Sequence, residues 1–342
     1  MRHVSLGPTE TISEIMLGTM TFGTQTDETD AHAQMDMAAD HGVTWLDTAE
    51  MYPVNPARAE TIGLTEEIVG RWLAKGNRQR LKIATKHSGA GSQARNGAPI
   101  SPATIPRTIE ASLKRLQVDT IDLYQFHWPN RGSFQFRRNW TYRPTGDKAA
   151  ILQDIADCEG ALAREIERGT IRAFGLSNES TWGMTRWIAA ADGGPTRPVS
   201  IQNEYSIMAR MPDTDLSELM AYEDITMLAF SPLATGLITG KYQGGAVPVG
   251  SRKSISPGLG GRWTDRVPPT VAAYLDVARS HAIDPVHMAL AWLQTRPIRC
   301  AAILGATTLE QLEHGLKAQD MTLSEGLVKA IDETHRAHPM PY

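Results

Sequence analysis

The run Ile15-Met16-Leu17-Gly18-Thr19-Met20-Thr21-Phe22-Gly23 decides the fold. Its first four residues read as a strand. The turn after a first strand is where an open, doubly wound dinucleotide-binding sheet shows G-x-G-x-x-G. Gly18-Thr19-Met20-Thr21-Phe22-Gly23 does not match, and neither do the glycine clusters at Gly89–Gly91 and Gly258–Gly261. Working outward from Ile15–Gly18, further β-rich runs lie at Thr44–Asp47, Leu81–Lys86, Ile121–Phe126, Ile171–Gly175, Val199–Gln202, Ile225–Phe230 and Cys300–Leu304. Helical patterns alternate with them, among them Thr104–Leu116, Leu152–Arg168, Thr181–Ala191, Val271–His281 and Leu309–Lys317. Ser101-Pro102, Ser180 and Thr307-Thr308 ahead of Glu310 are helix-start signals. Such alternation calls for parallel strands joined by helical crossovers. Eight strand runs suit an α/β fold of the (β/α)8 barrel type, one domain over residues 1–342, better than a five- or six-stranded open sheet.

A short hairpin, His3–Val4 against Thr11–Ile12 around Gly7-Pro8, is expected before the barrel. Two strand-to-helix connections are long. Residues 128–149 carry Trp128, Phe134, Phe136, Trp140 and Tyr142 among Arg131, Arg137, Arg138 and Arg143, and residues 232–267 are rich in Gly, Pro, Lys and Arg. Loops of this length in a compact domain are commonly functional, so both are read as covers over the C-terminal mouth. The arginines suit a bulky or anionic ligand, or simply solvated charge.

The chain of 342 residues is 41% hydrophobic and 21% charged, an ordinary globular composition. Its formal charge of −4, without a basic run, argues against nucleic-acid binding. Cys158 and Cys300 are far apart and lack CxxC spacing, so neither a disulfide framework nor a zinc site is expected, and a reducing compartment fits. The start MRHVSLGPTE has no apolar leader, and no run approaches membrane-spanning length. A soluble cytoplasmic protein is expected, and nothing in the chain predicts an oligomer.

In a (β/α)8 barrel the reactive groups stand where strands end. The second strand ends in Asp47 with Tyr52 five residues on, the third ends Thr85-Lys86-His87, and the fourth ends Gln125-Phe126-His127. Singly, each has an ordinary structural reading: a cap, a packing ring, a snorkelling amine, a satisfied imidazole. Together they suit proton donation to a carbonyl oxygen. A free phenol titrates at roughly 10, and a lysine cation beside it is expected to lower that value. No HxH, HExxH or carboxylate–histidine cluster supplies a metal, so reduction would need an organic hydride donor. Later strand ends offer it a place. Ser177, Asn178 and Gln202 can grip a carboxamide, Phe230 can stack, and Gly305-Ala306-Thr307-Thr308 opens a helix that can seat phosphate. Lys241 and Arg252 add cations. The same row of hydroxyls and amides is also compatible with strand-end capping.

Three stretches resemble the aldo-keto reductase superfamily. Leu46-Asp47-Thr48-Ala49-Glu50-Met51-Tyr52 resembles its Asp-Thr-Ala-x-x-Tyr signature. Ser112-Leu113-Lys114-Arg115-Leu116 with Asp119, Asp122-Leu123-Tyr124 and His127-Trp128-Pro129 resembles the second, and Gly169-Thr170-Ile171-Arg172 with Gly175-Leu176-Ser177-Asn178 the fifth-strand element. Asp47 to Pro53, His127-Trp128-Pro129 and Leu304-Gly305-Ala306-Thr307-Thr308 are similar to the branch of bacterial Tas-type proteins and potassium-channel β subunits. The resemblance implies NADPH-dependent reduction of aldehydes or ketones, with Tyr52 as general acid and Asp47, Lys86 and His127 completing a tetrad. It implies that Ser177, Asn178 and Gln202 hold the nicotinamide and Phe230 stacks on it. Ser231, Pro232, Leu233, Gly236, Lys241 and Arg252 would wrap the phosphates, Thr19, Met20, Gln25 and Asp47 would line the first loops, and Gly305, Thr307 and Gln311 the adenosine side. Pro53 stands where the wider family has Gly, and Gly315 where channel-β-like relatives have an adenine-touching Asn. His127 is retained where the channel subunits have Asn, which favours an active reductase. The alternative is an NADP(H)-binding redox sensor acting on a partner protein. Schiff-base chemistry at Lys86 is disfavoured because Asp47 holds the amine as a cation.

Overall fold

A computed structural model describes residues 1–342. An antiparallel hairpin, β1 (His3–Leu6) and β2 (Glu10–Ser13), precedes the barrel. Eight parallel strands follow: β3 (Ile15–Gly18), β4 (Trp45–Asp47), β5 (Lys82–His87), β6 (Ile121–Phe126), β7 (Ile171–Ser177), β8 (Ser200–Glu204), β9 (Thr226–Phe230) and β10 (Cys300–Gly305). They close because β10 pairs with both β9 and β3. The outer layer is α1 (Glu28–Asp40), α2 (Leu64–Trp72), α3 (Thr104–Leu116), α4 (Lys148–Glu167), α5 (Thr181–Ala191), α6 (Asp215–Tyr222), α7 (Arg252–Ile255), α8 (Val267–Ser280), α9 (Pro285–Trp292), α10 (Leu309–Leu316) and α11 (Glu325–Ala337). This is a (β/α)8 barrel with a hairpin in front of it. No helix is long and apolar enough to cross a membrane.

Side chains alternate across a strand, and here the alternation sorts chemistry by height. Met16, Trp45, Ala84, Leu123, Leu228, Ala301 and Ile303 cluster inside the barrel with Leu6 and Ile12 of the hairpin. Leu17, Leu46, Ile83, Tyr124, Phe126 and Ile201 join the core under the helices. The Trp45 indole donates to the Thr11 carbonyl at 2.9 Å and the Thr226 hydroxyl to the Ser5 carbonyl at 2.7 Å, so the hairpin floors the barrel. Asp47, Lys86 and Gln125 lie two residues beyond Trp45, Ala84 and Leu123 on the same inward face, where the apolar interior gives way to a buried polar layer.

Some boundaries differ from the sequence reading. The fourth helix begins at Lys148, ahead of the expected Leu152, because the Asp147 carboxylate accepts from the Ala150 N–H at 2.8 Å. The connection opening at Trp128 therefore ends at Asp147. The eighth begins at Val267 rather than Val271, since Pro268 and Pro269 need no N–H partner in a first turn. Gly89 answers a close approach, as an added Cβ would meet the Trp128 ring at 2.3 Å. Gly315 is a packing requirement too: a Cβ there would stand 2.6 Å from the Leu304 side chain, so α10 lies directly on β10.

Candidate active site

Asp47 ends β4, Lys86 lies one residue inside the end of β5, and His127 directly follows β6. Tyr52 sits in the loop after β4. Lys86 is fully buried; its Nζ donates to Asp47 Oδ2 at 2.6 Å and to the Thr48 carbonyl at 2.7 Å. The ammonium lies 5.0 Å from the centre of the Tyr52 ring, and the Tyr52 and His127 rings meet edge-on at 5.8 Å. All four groups that the strand-end reading picked out are buried together.

Burial is the largest single influence on the ionisation of Lys86, Tyr52 and His127. It disfavours the Lys86 cation, but the Asp47 charge and the Tyr52 oxygen outweigh it, and the ammonium titrates above its ordinary range. Burial likewise raises the Tyr52 phenol, with Lys86 pulling it down and Asp47 pushing it up. The net shift is upward, opposite to the lowering expected from Lys86, because desolvating a phenolate costs more than one nearby cation returns. Tyr52 thus carries its proton at neutral pH. Burial, reinforced by the Lys86 charge, holds His127 well below 6.5 as a neutral imidazole.

A further residue joins the set. Gln202 Nε2 donates to Asp47 Oδ1 at 2.8 Å and approaches Gln125 Oε1 at 3.2 Å, while Gln125 Nε2 reaches the same carboxylate oxygen at 3.5 Å. Asp47 therefore has an ammonium on one oxygen and amides on the other. Gln125 is missing from the residues singled out by sequence. Its signal was the inward phase it shares with Leu123 and its register opposite Lys86.

The residues expected around a nucleotide line the same mouth. The Ser177 hydroxyl donates to the Gln202 carbonyl at 2.8 Å, and Asn178 Nδ2 donates to the His127 carbonyl at 2.9 Å. Asn178 Oδ1 is buried without a partner. Phe230 keeps a partly exposed ring at the end of β9. The turn after it bends around Pro232 and Leu233 through left-handed conformations at Ser231, Ala234, Thr235 and Gly236. A Cβ on Gly236 would lie 3.0 Å from Lys241 Nζ, so the cation rests on bare backbone. Burial and the neighbouring Arg262 bring Arg252 down to about 10, opposed by the Tyr52 and Tyr242 oxygens. Gly305 is exposed at the end of β10, Thr308 caps α10, and Thr307 donates through its N–H and hydroxyl to Gln311 Oε1 at 3.2 and 3.1 Å.

The first-loop residues are placed differently from one another. Thr19 is fully buried, and both its N–H and hydroxyl donate to the Asp47 carbonyl at 3.1 and 2.9 Å, which fixes the end of β4. The Met20 sulfur accepts from Asn55 Nδ2 at 3.8 Å, and Gln25 Nε2 donates to the Gly250 carbonyl at 3.4 Å, tying the first loop to the 232–267 cover.

Two of the four arginines in the first cover are ion-paired: Arg131 with Glu179, and Arg137 with Glu204 at 3.0 Å. Arg262 of the second cover grips the same Glu204 at 2.6 Å. Arg143 donates to the Tyr142 carbonyl, and Arg138 lies over the Tyr142 ring. Trp128 packs tilted against His127, ring centres 5.0 Å apart, and opens, with Phe136 and Arg138, on a cleft of 370 Å³.

A buried Lys–Asp pair under a protonated phenol and a neutral imidazole can deliver a proton to an oxygen held at the mouth. Comparison with known proteins bears on the family. The model of the "Aldo/keto reductase family" matches residues 14–336. "Protein tas" of Escherichia coli (strain K12) is 41% identical over 339 residues, covering 96% of this chain and 96% of that protein. "Uncharacterized oxidoreductase YrpG" of Bacillus subtilis is 29% identical over 343 residues, covering 97% and 95%. "Probable voltage-gated potassium channel subunit beta" of Arabidopsis thaliana is 28% identical over 330 residues, covering 94% and 92%. These relatives place the chain in the Tas-type and channel-β-like branch and support oxidoreductase chemistry. The chain belongs to the aldo/keto reductase family.

Proposed function

We propose that the protein reduces aldehydes or ketones to alcohols with NADPH, Tyr52 giving the proton to the carbonyl oxygen. The observation that carries this reading is the Tyr52 phenol, buried and protonated between the Lys86–Asp47 pair and neutral His127. Lys86 stabilises the phenolate left behind, and Asp47, held by Gln202 and Gln125, keeps Lys86 charged and in place. His127 orients the carbonyl as a neutral hydrogen-bonding partner.

The residues fit a nicotinamide nucleotide, which when bound would supply the hydride. Asn178 Oδ1 is a buried acceptor that lacks a donor, as a carboxamide N–H₂ would provide. Ser177 and Gln202 adjoin Asn178, and Phe230 at the end of β9 would stack on the ring. Lys241, resting against the left-handed turn at Ser231–Gly236, and Arg252, at the start of α7, suit phosphates, and the preference for the phosphorylated cofactor rests on this pair. Gly305, Thr307 and the start of α10 would take the adenosine side. The Leu304–Gly315 packing removes the adenine contact that an Asn there would make. Both cysteines are buried and free, in keeping with a cytoplasmic setting.

The test is loss of NADPH absorbance with a panel of aromatic aldehydes and dicarbonyls, wild type beside Tyr52→Phe. The variant should retain NADPH binding and lose about 10²–10⁴-fold in turnover. An unchanged rate refutes the assignment of the acid. The relative named as a channel subunit favours a second reading, an NADP(H) sensor acting on a partner protein. Tight NADPH retention with no turnover of any carbonyl would select it.

A further inference from the structure

Away from the tetrad, on the outer helical layer, three side chains with metal-ligating atoms converge. Asp284 precedes α9, His287 lies in the first turn of α9, and His314 lies in the last turn of α10. One donor atom from each lies within 4.8 Å of the other two. The imidazoles stack at 4.7 Å and 30°, and His314 Nε2 stands 3.2 Å from Asp284 Oδ1.

We propose that Asp284, His287 and His314 bind a divalent transition-metal ion of the class that takes imidazole and carboxylate ligands, such as Zn²⁺. His287 Nε2 lies 2.8 Å from the His314 carbonyl. Donation through that nitrogen leaves Nδ1 as a lone pair, the arrangement in which a ligating histidine is oriented by a backbone carbonyl behind it. Asp284 Oδ1 accepts the Val286 and His287 N–H groups at 2.8 and 3.2 Å, which fixes the carboxylate and leaves Oδ2 for a cation. Tetrahedral donors about 2.1 Å from a zinc ion lie roughly 3.4 Å apart, so a pair at the 4.8 Å limit must close by about 1.4 Å. All three side chains are only partly buried, so rotation can supply that movement and water can fill the remaining position. Two nitrogens and one oxygen suit zinc, nickel or copper rather than magnesium or calcium. The ion would tie the start of α9 to the end of α10, the helices on either side of β10 in the chain.

Zn²⁺ titrated calorimetrically into the EDTA-treated full chain tests this, with His314→Gln and His287→Gln beside it. Wild type should bind one ion per chain in the micromolar range or tighter, and each variant at least about 10-fold more weakly. At a hundredfold excess over Kd, zinc should raise the wild-type Tm by about 4 °C and leave the His314→Gln value unmoved. Circular dichroism confirms that the variants are folded. No saturable binding, or equal affinity in wild type and both folded variants, overturns the site and leaves a His314–Asp284 contact only.

Discussion

Replacing Lys86 by methionine isolates the electrostatics on which the tetrad rests. The wild-type ammonium is fully buried and bonded to Asp47 and the Thr48 carbonyl. Methionine fills similar space but leaves the carboxylate buried with amide partners alone. Removing one member of a buried ion pair costs about 3–5 kcal/mol. For a chain of 342 residues the entropy of unfolding converts this into a fall in Tm of roughly 4–7 °C. The dependence on pH separates this cause from lost packing. Folding raises the Lys86 pKa, so its stabilisation is complete below the ordinary lysine range and is lost only as pH rises through the raised value. In Lys86→Met the unpaired carboxylate finds relief by taking up a proton, so the deficit should narrow from pH 8 to pH 5. Adding Asp47→Asn should recover a large part of it. Urea unfolding of the three proteins at both pH values is the assay. A deficit under about 1 kcal/mol, or one that Asp47→Asn deepens, would refute the reasoning.

Three further outcomes are expected. NMR of the His127 ring should show no protonation between pH 5.5 and 8, because burial and Lys86 hold it neutral; a midpoint near 6.5 would contradict that. Gly315→Ala should lower stability by about 1–3 kcal/mol in urea unfolding, since its methyl would meet Leu304 at 2.6 Å. Despite burial, Arg262 and Arg137 hold the Glu204 carboxyl below its ordinary value. Its stabilisation is therefore present above the normal carboxylate range and lost as pH falls through the lowered value. Glu204→Gln should cost about 3 kcal/mol at pH 7 and flatten the acid limb of the stability profile.

The barrel was legible because each strand carries its own apolar run and each run ends in groups that suit a mouth. Asp47, Lys86 and His127 could be read from position alone, since strand ends converge in this fold whatever the intervening sequence. Gln125 is harder to read because it sits inside a run, where only phase reveals it. Its alternation with Leu123 shows that it faces inward, but its meeting with Asp47 and Gln202 depends on the closed register. The sign of the Tyr52 shift was out of reach for a different reason. A neighbouring cation can be read from a motif, but the depth of burial that outweighs it is set by the whole mouth. The same holds for the arginines of residues 128–149, whose partners Glu179 and Glu204 come from the ends of other strands.

Glu204 joins the two covers through Arg137 on one side and Arg262 on the other. The covers are therefore not independent modules. A loop grafted from a relative in place of residues 128–147 would leave Glu204 with Arg262 alone, and the reverse exchange would leave it with Arg137 alone. Engineering of this mouth has to treat the two connections as one piece, exchanged together with the carboxylate between them.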